Sequence, residues 1–271
     1  MFITSGLVLV LEIVAGRLMA PYVGVSLESF TGIIGTVLAG IAAGSAIGGV
    51  LADRRDPLRL IGQALFFGGA LTWLSIPIVV SLGPGMGSSP LEIVVLSASA
   101  FLLPAAVLSG IPPMVAKLRL ASLEETGSVI GRLSAWSTFG ALAGTFGSGF
   151  VLIAFLPVRT IILAIGAVLV TAGFIVLWRT REGRPDIVET GLVLAVAFLA
   201  VGIGSQCDHE TDYYCVRIVA DEERPGGRSL ILDQLRHAHV DLDDPTHLEI
   251  RYVRLFADLA AALPDGPLRV L

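Results

Sequence analysis

The chain of 271 residues is 54% hydrophobic and 15% charged, with a formal net charge of −5. A mean hydropathy of +0.83 excludes a water-soluble globular domain, and several runs reach the roughly 20 apolar residues that cross a bilayer. The expected fold is mainly α: a polytopic transmembrane helix bundle of six to seven spans over residues 1–205, then a small α/β extramembrane piece, a β-hairpin plus helix, over 206–271.

Six spans are predicted near 2–22, 29–51, 60–82, 91–111, 133–154 and 158–178. A seventh segment, 190–205, has only 16 residues; it fits a tilted span, a re-entrant piece or an interfacial helix. The opening is no cleavable signal, because it lacks a basic leader and carries Glu12 and Arg17 inside its apolar run. Arg54, Arg55 and Arg59 flank one short loop, Lys117, Arg119 and Arg132 another, and Arg179, Arg181 and Arg184 a third, whereas 23–28 and 83–90 hold no Lys or Arg. The basic loops are therefore cytoplasmic. This orientation puts the N-terminus inside, and the tail outside if 190–205 spans or inside if it does not.

In the second span, Gly40, Gly44 and Gly48 recur every fourth residue and place a surface without side chains on one helix face, for packing or, in a transporter, for sliding. Its end, Gly49-Val-Leu-Ala-Asp53-Arg54-Arg55, resembles the cytoplasmic loop signature of major facilitator transporters. A second Gly-rich span, GALAGTFGSGF at 140–150, follows the amphipathic segment 115–132, whose charges are expected along the membrane surface. Glu12 and Arg17 are intramembrane charges that need partners. Five residues apart, they lie about 140° apart around a helix, so partners on other spans are expected. A buried ion pair or snorkelling is weighed against a ligand or proton role.

The tail holds 13 Asp/Glu and 7 Arg, a net of −6, against 10 acids and 11 bases, a net of +1, in residues 1–205. That acidity argues against nucleic acid and anionic lipid as partners of the tail and is compatible with a cationic small molecule. Residues 213–219 and 229–233 read as two strands joined by the turn 221–228. A helix follows, with Asp244 as its N-cap and Pro245 at its first position, and with Leu248, Tyr252, Leu255, Phe256, Leu259 and Leu263 at helical spacing. Residues 264–267 stop it, and 268–271 look like the start of a buried strand, so the tail reads as the beginning of a domain completed by further chain or by a partner.

The order R-S-L-I-L-D, D-D-P-T-H-L-E, Y-V-R-L-F resembles the small N-terminal region of spermidine synthases, the polyamine aminopropyltransferases. More narrowly, the opening LEIVAGRLMAPYVG, the second span ending GGVLADR, the GRLSAWSTFG segment and DLDDPTH resemble bacterial proteins in which a multi-span domain is fused to a spermidine synthase-like domain. The resemblance implies aminopropyl transfer from decarboxylated S-adenosylmethionine to a diamine, with carboxylates holding a polyamine-like cation. By position it assigns substrate contacts to Asp233, His237, Asp244, His247 and Glu249. Two of these depart from the family: His237 stands where soluble members carry Gln, and His247 where they carry Tyr. The same five fit caps, turn residues and solvated charges. The family's nucleoside loop and catalytic Asp fall beyond Leu271, so no cofactor and no complete catalytic set is expected in these residues. A bacterial inner-membrane location is implied, with the lipid bilayer as partner and a homo-oligomer left open.

Cys207 and Cys215 bracket seven residues. A disulfide in an oxidising compartment, two free thiols, or a metal site shared with His209 all fit, although the metal reading lacks a fourth ligand at finger-like spacing. Three functions follow: the membrane part and first substrate lobe of a spermidine synthase-like enzyme, a transporter-like module in which Glu12 and Arg17 line a path, or a membrane scaffold whose tail docks a partner.

Overall fold

A computed structural model describes residues 1–120, 126–180, 185–211 and 213–263. The chain divides into two compact units, Met1–Gln206 and Cys207–Leu271.

The first unit is helical. Six of its helices are long and apolar enough to cross a membrane: α1 (Phe2–Val23), α2 (Leu27–Arg54), α3 (Pro57–Leu82), α4 (Pro90–Arg119), α5 (Thr126–Phe155) and α6 (Val158–Arg179). A shorter apolar helix, α7 (Ile187–Gly202), follows. The protein is thus built as a multi-pass membrane helix bundle. Local chemistry sets the helix starts. The Ser26 hydroxyl accepts from Ser29 N–H ahead of α2, Asp56 caps α3 with Pro57 behind it, and Asp186 and Glu189 form a reciprocal capping box on α7. In α4, Ala98–Leu102 is wound as a π-turn just before Pro104. Pro104 has no N–H and crowds the carbonyl one turn back, and the wider turn accommodates both.

The glycine stripe of α2 packs backbone to backbone against α4. A Cβ on Gly40 would sit 2.8 Å from Leu102 O, one on Gly48 would sit 2.5 Å from Gly110 Cα, and one on Gly44 would overlap Ala106 O. Beside the stripe, Ser45 Oγ donates to Ser109 O at 3.2 Å. In the same way Gly6 of α1 meets Gly140 and Gly144 of α5. Dispersion between closely packed backbones replaces the hydrophobic drive that lipid cannot supply. At the ends of α2 and α4, Lys117 Nζ pairs with Asp53 at 2.7 Å, so two of the basic loops lie on one side of the bundle.

The seventh segment runs antiparallel to α6. Its Val193 shares a small core with Phe66, Ala70 and Leu177, the last near the C-terminal end of α6. At the other end of α6, Arg159 Nη2 donates to Ala200 O at 2.7 Å and to Val201 O at 2.6 Å, capping the last turn of α7. Ile203, just past the helix, packs on the main core.

The second unit is a four-stranded antiparallel sheet in the order β1 (His209–Glu210), β2 (Cys215–Ala220), β3 (Gly227–Leu232), β4 (Leu235–Asp241), followed by α8 (Arg251–Ala261). The structure corrects the expected hairpin in two places. Residues 229–233 do not end in a strand: Asp233 adopts φ 55° and, with Gln234, makes a two-residue turn into a fourth strand. The helix begins at Arg251, not after Pro245. Asp244 caps no helix; its Oδ1 accepts from Thr246 N at 3.1 Å and from Thr246 Oγ1 at 2.6 Å, closing a turn. The expected stop at 264–267 and strand at 268–271 lie outside the described residues, as does part of the expected amphipathic segment, 121–125.

Candidate functional site

A register shift between Leu230 and Ile231 shapes the polar face of the sheet. Ile231 pairs with Arg236 and Leu230 with Ala238, which leaves His237 as the extra residue of a β-bulge. Ordinarily residues three apart on a strand face opposite ways. The bulge instead brings Arg236 and His239 to one face, with Arg236 Nη2 2.8 Å from His239 Nδ1. A guanidinium only donates, so Nδ1 is the acceptor and the neutral ring carries its hydrogen on Nε2. That buried Nε2 has no hydrogen-bond partner among the described residues. Ser229, directly opposite on β3, brings its Oγ to 3.1 Å from the same Nδ1.

The segment between β4 and α8 completes the cluster. His247 and Glu249 lie two residues apart, and their side chains meet. His247 Nε2 lies 3.1 Å from Glu249 Oε2, and Arg236 Nη1 lies 3.7 Å from Glu249 Oε1. The His239 and His247 rings meet edge to face at 6.2 Å. The His247 hydrogen bond first, then the positive charge of Arg236, holds the Glu249 carboxyl below its ordinary range. Arg254 closes the segment by donating to Glu249 O at 2.7 Å.

Asp241, at the end of β4, is 5% exposed. It accepts from Asp243 N–H and Asp244 N–H and pairs with Arg224 Nη1 at 3.1 Å. The Asp243 amide, then Arg224, keep its pKa low. Asp244 is likewise lowered, by the Thr246 hydroxyl first. Asp241 therefore ties the β2–β3 turn to the exit of β4.

Of the five residues expected to contact substrate, the structure brings together His247 and Glu249. Asp233 is 5% exposed and engaged in the fold: its Oδ1 accepts from Cys215 N–H at 2.9 Å, its own N–H donates to Cys215 O, and its carbonyl accepts from Arg217. His237 is the exposed bulge residue, and Asp244 serves its turn. Arg236, His239 and Ser229 join the cluster without having been singled out in the sequence. The bulge that aligns them leaves only a weak trace there, a strand with polar residues at both parities.

Cys207 and Cys215 are joined by a disulfide beside the Asp233 turn. No group of three or more His, Cys, Asp or Glu suited to a metal ion occurs among the described residues. In the membrane unit, Glu12 and Arg17 do not pair with each other, and Glu12 has no hydrogen bond or ion pair among the described residues.

The surface cluster offers an ionised carboxylate beside two imidazoles and a guanidinium. It can bind a ligand that combines a cationic group with hydrogen-bonding atoms. No family model, curated protein or solved structure matches the chain.

Proposed function

We propose that the chain is the membrane part and first substrate lobe of a spermidine synthase-like protein, in which a seven-span bundle holds an amine-binding lobe on the non-cytoplasmic face. The observation that carries this reading is the meeting of His247 and Glu249 beside β4. These two residues fall over the family's aromatic and acidic positions ahead of its helix, and Glu249 is kept ionised. The Arg236 contact with Glu249 is long and both side chains are partly exposed. An ammonium group can displace it at small cost, since such surface pairs contribute little.

The length and contacts of α7 support this side for the lobe. Its 16 residues span about 24 Å, less than a hydrocarbon core of about 30 Å. Arg159 caps its far end level with the start of α6, and Ile203 continues the packing. With the basic loops cytoplasmic, the chain then leaves the bundle on the other side, in a bacterial inner membrane. The disulfide accords with an oxidising compartment there. Outside, the lobe does not meet a cytosolic sulfonium donor, so these residues are read as binding an amine and not as transferring to it.

Calorimetric titration of the chain in lipid nanodiscs with a diamine, against an inorganic salt of equal ionic strength, tests the proposal. Saturable binding that weakens about tenfold or more in Glu249→Gln is expected, the usual loss when a charged hydrogen bond is removed. Absence of saturable binding, or equal binding by Glu249→Gln, overturns it.

A further inference from the structure

A cavity of about 240 Å³ lies among α1, α2, α4 and α5, and six hydroxyls line it: Thr4, Ser5, Ser45, Ser109, Ser137 and Thr138. Two of them are engaged, Thr4 with Met1 O at 3.0 Å and Ser45 with Ser109 O at 3.2 Å. Ser137 Oγ is buried and has no hydrogen bond among the described residues. Burying a hydroxyl without a hydrogen bond costs about 1–3 kcal/mol. Apolar residues such as Val8, Leu9, Ile41 and Leu108 complete the lining, and a cavity of this size with hydroxyls in its wall has the room and the polar groups that water needs.

The α1 wall of this cavity leads to Glu12. Ser5, Val8 and Leu9 line it, and Glu12, seven residues beyond Ser5, lies within roughly 20° of the same face. One turn further, Gly16 faces Phe30 and Ile33 of α2. Glu12 is therefore on the α2 side of α1, between the cavity and that contact. A charged carboxylate at this depth costs several kcal/mol without a counter-charge, and among the described residues none pairs with it. Arg17 on its own helix points about 140° away. The other ionisable side chains on the helices around α1 lie toward the helix ends: Glu28, Asp53 and Arg54 of α2, Arg59 of α3, Glu92, Lys117 and Arg119 of α4, Arg132 of α5, and Arg159 and Arg179 of α6.

We infer that the hydroxyl-lined cavity is hydrated and is the path by which Glu12 exchanges its proton with the aqueous phase. When Glu12 ionises, its O–H bond breaks and the proton passes to cavity water; on reprotonation it returns the same way. The path gives the membrane unit a protonatable centre independent of the amine-binding lobe.

Two measurements test this. Because the two native cysteines are paired, single-cysteine variants can be read without background thiols. Ser137→Cys and Glu12→Cys should react with a small charged methanethiosulfonate at least about tenfold faster than Phe146→Cys, on the exposed side of α5, since only hydrated thiols ionise and react. Slow reaction of Ser137→Cys overturns the hydrated cavity, and slow reaction of Glu12→Cys overturns the path. On the unaltered protein, a hydrophobic carbodiimide, which modifies protonated carboxyls, should label the α1 peptide at acidic pH and lose that label as pH rises. A label that does not change with pH, or no label at any pH, overturns the exchange. Folding of the variants is not required for this second test.

Discussion

Arg236 and His239, three residues apart on β4, face the same side of the sheet because His237 is bulged between them, and the Arg236 guanidinium lies 2.8 Å from His239 Nδ1. The bulge turns an alternating strand into a two-residue grip on the segment ahead of α8. Arg236 reaches Glu249, and the His239 ring meets that of His247. Deleting His237 restores alternation and sends Arg236 and His239 to opposite faces. NOEs between the His239 and His247 rings should then vanish while the cross-strand NOEs of β2 with β3 persist.

The depressed pKa of Glu249 gives a pH dependence with a defined sign. A carboxyl whose folded pKa lies below its unfolded value adds stability above the unfolded pKa and loses it as pH falls through the folded one. The contribution of Glu249 is thus intact at neutral pH and disappears in the acid range. His247→Ala removes the largest cause of the depression, so the Glu249 carboxyl should titrate at higher pH than in the unaltered protein, as read by the 13C shift of its side-chain carboxyl. An unchanged titration would mean that the His247 hydrogen bond does not lower it.

Cys207 and Cys215 close a loop across β1 and the start of β2, and Asp233 fastens the β3–β4 turn to the same cysteine through Cys215 N–H and C=O. On the chain-entropy account, a loop of this size stabilises by about 2.5 kcal/mol. Reduction, or Cys207→Ser with Cys215→Ser, should lower the melting temperature of the sheet unit by on the order of 10 °C, followed by near-ultraviolet circular dichroism of Tyr213 and Tyr214. Asp233→Asn keeps the left-handed turn but weakens the acceptor, so it should cost less than the disulfide.

How much of this was legible differs between the two units. The six long helices are written as apolar runs; α1 and α6 match them to within one residue, whereas α2, α4 and α5 run on through charged residues such as Asp53, Arg54, Arg119 and Arg132 that still continue the helical hydrogen bonding. Gly40, Gly44 and Gly48 declared their packing face by spacing alone. The sheet unit hid more. Asp233-Gln234 lacks the glycine that usually marks a two-residue turn, and Arg236, His237 and His239 do not resemble an alternating strand, so β4 passed as a connection to a helix. Asp244-Pro245 has the composition of a helix start, yet the Asp244 carboxylate closes a turn with Thr246, and α8 begins at Arg251. Two of the site residues lay in a readable motif. The others depend on a bulge that only pairing with β3 reveals.

The contact between α2 and α4 predicts a sharp contrast between glycines. Gly44→Ala would drive a methyl into the Ala106 backbone, which cannot swing away as a side chain can, whereas a methyl on Gly35 would meet nothing within 4 Å. Overpacking of this kind costs about 1–3 kcal/mol. Gly44→Ala should therefore lower the unfolding midpoint in detergent while Gly35→Ala leaves it unchanged or raised. Equal effects would mean that α2 and α4 do not pack this closely.

Arg159 gives the last prediction, because it bridges the start of α6 and the end of α7 with two charged hydrogen bonds, to Ala200 O and Val201 O. If α7 crosses the bilayer, the tail cysteines lie outside, and an impermeant reductant followed by an impermeant maleimide should label Cys207 and Cys215 in intact spheroplasts. Without the reductant they should stay unlabelled, since both are in the disulfide. Labelling only after the membrane is opened would return the tail to the cytoplasmic side and remove the outward-facing lobe. Arg159→Leu leaves the terminal carbonyls of α7 uncapped beside the membrane, at a cost of roughly 1–2 kcal/mol. It should loosen α7 enough to speed hydrogen exchange at Leu199 to Val201 while the amides of α3 and α6 stay protected. Because Arg159 lies away from the basic loops, orientation itself should not change. A variant that inverted the tail would show that this one guanidinium, and not the cytoplasmic charge bias, decides on which side the chain emerges.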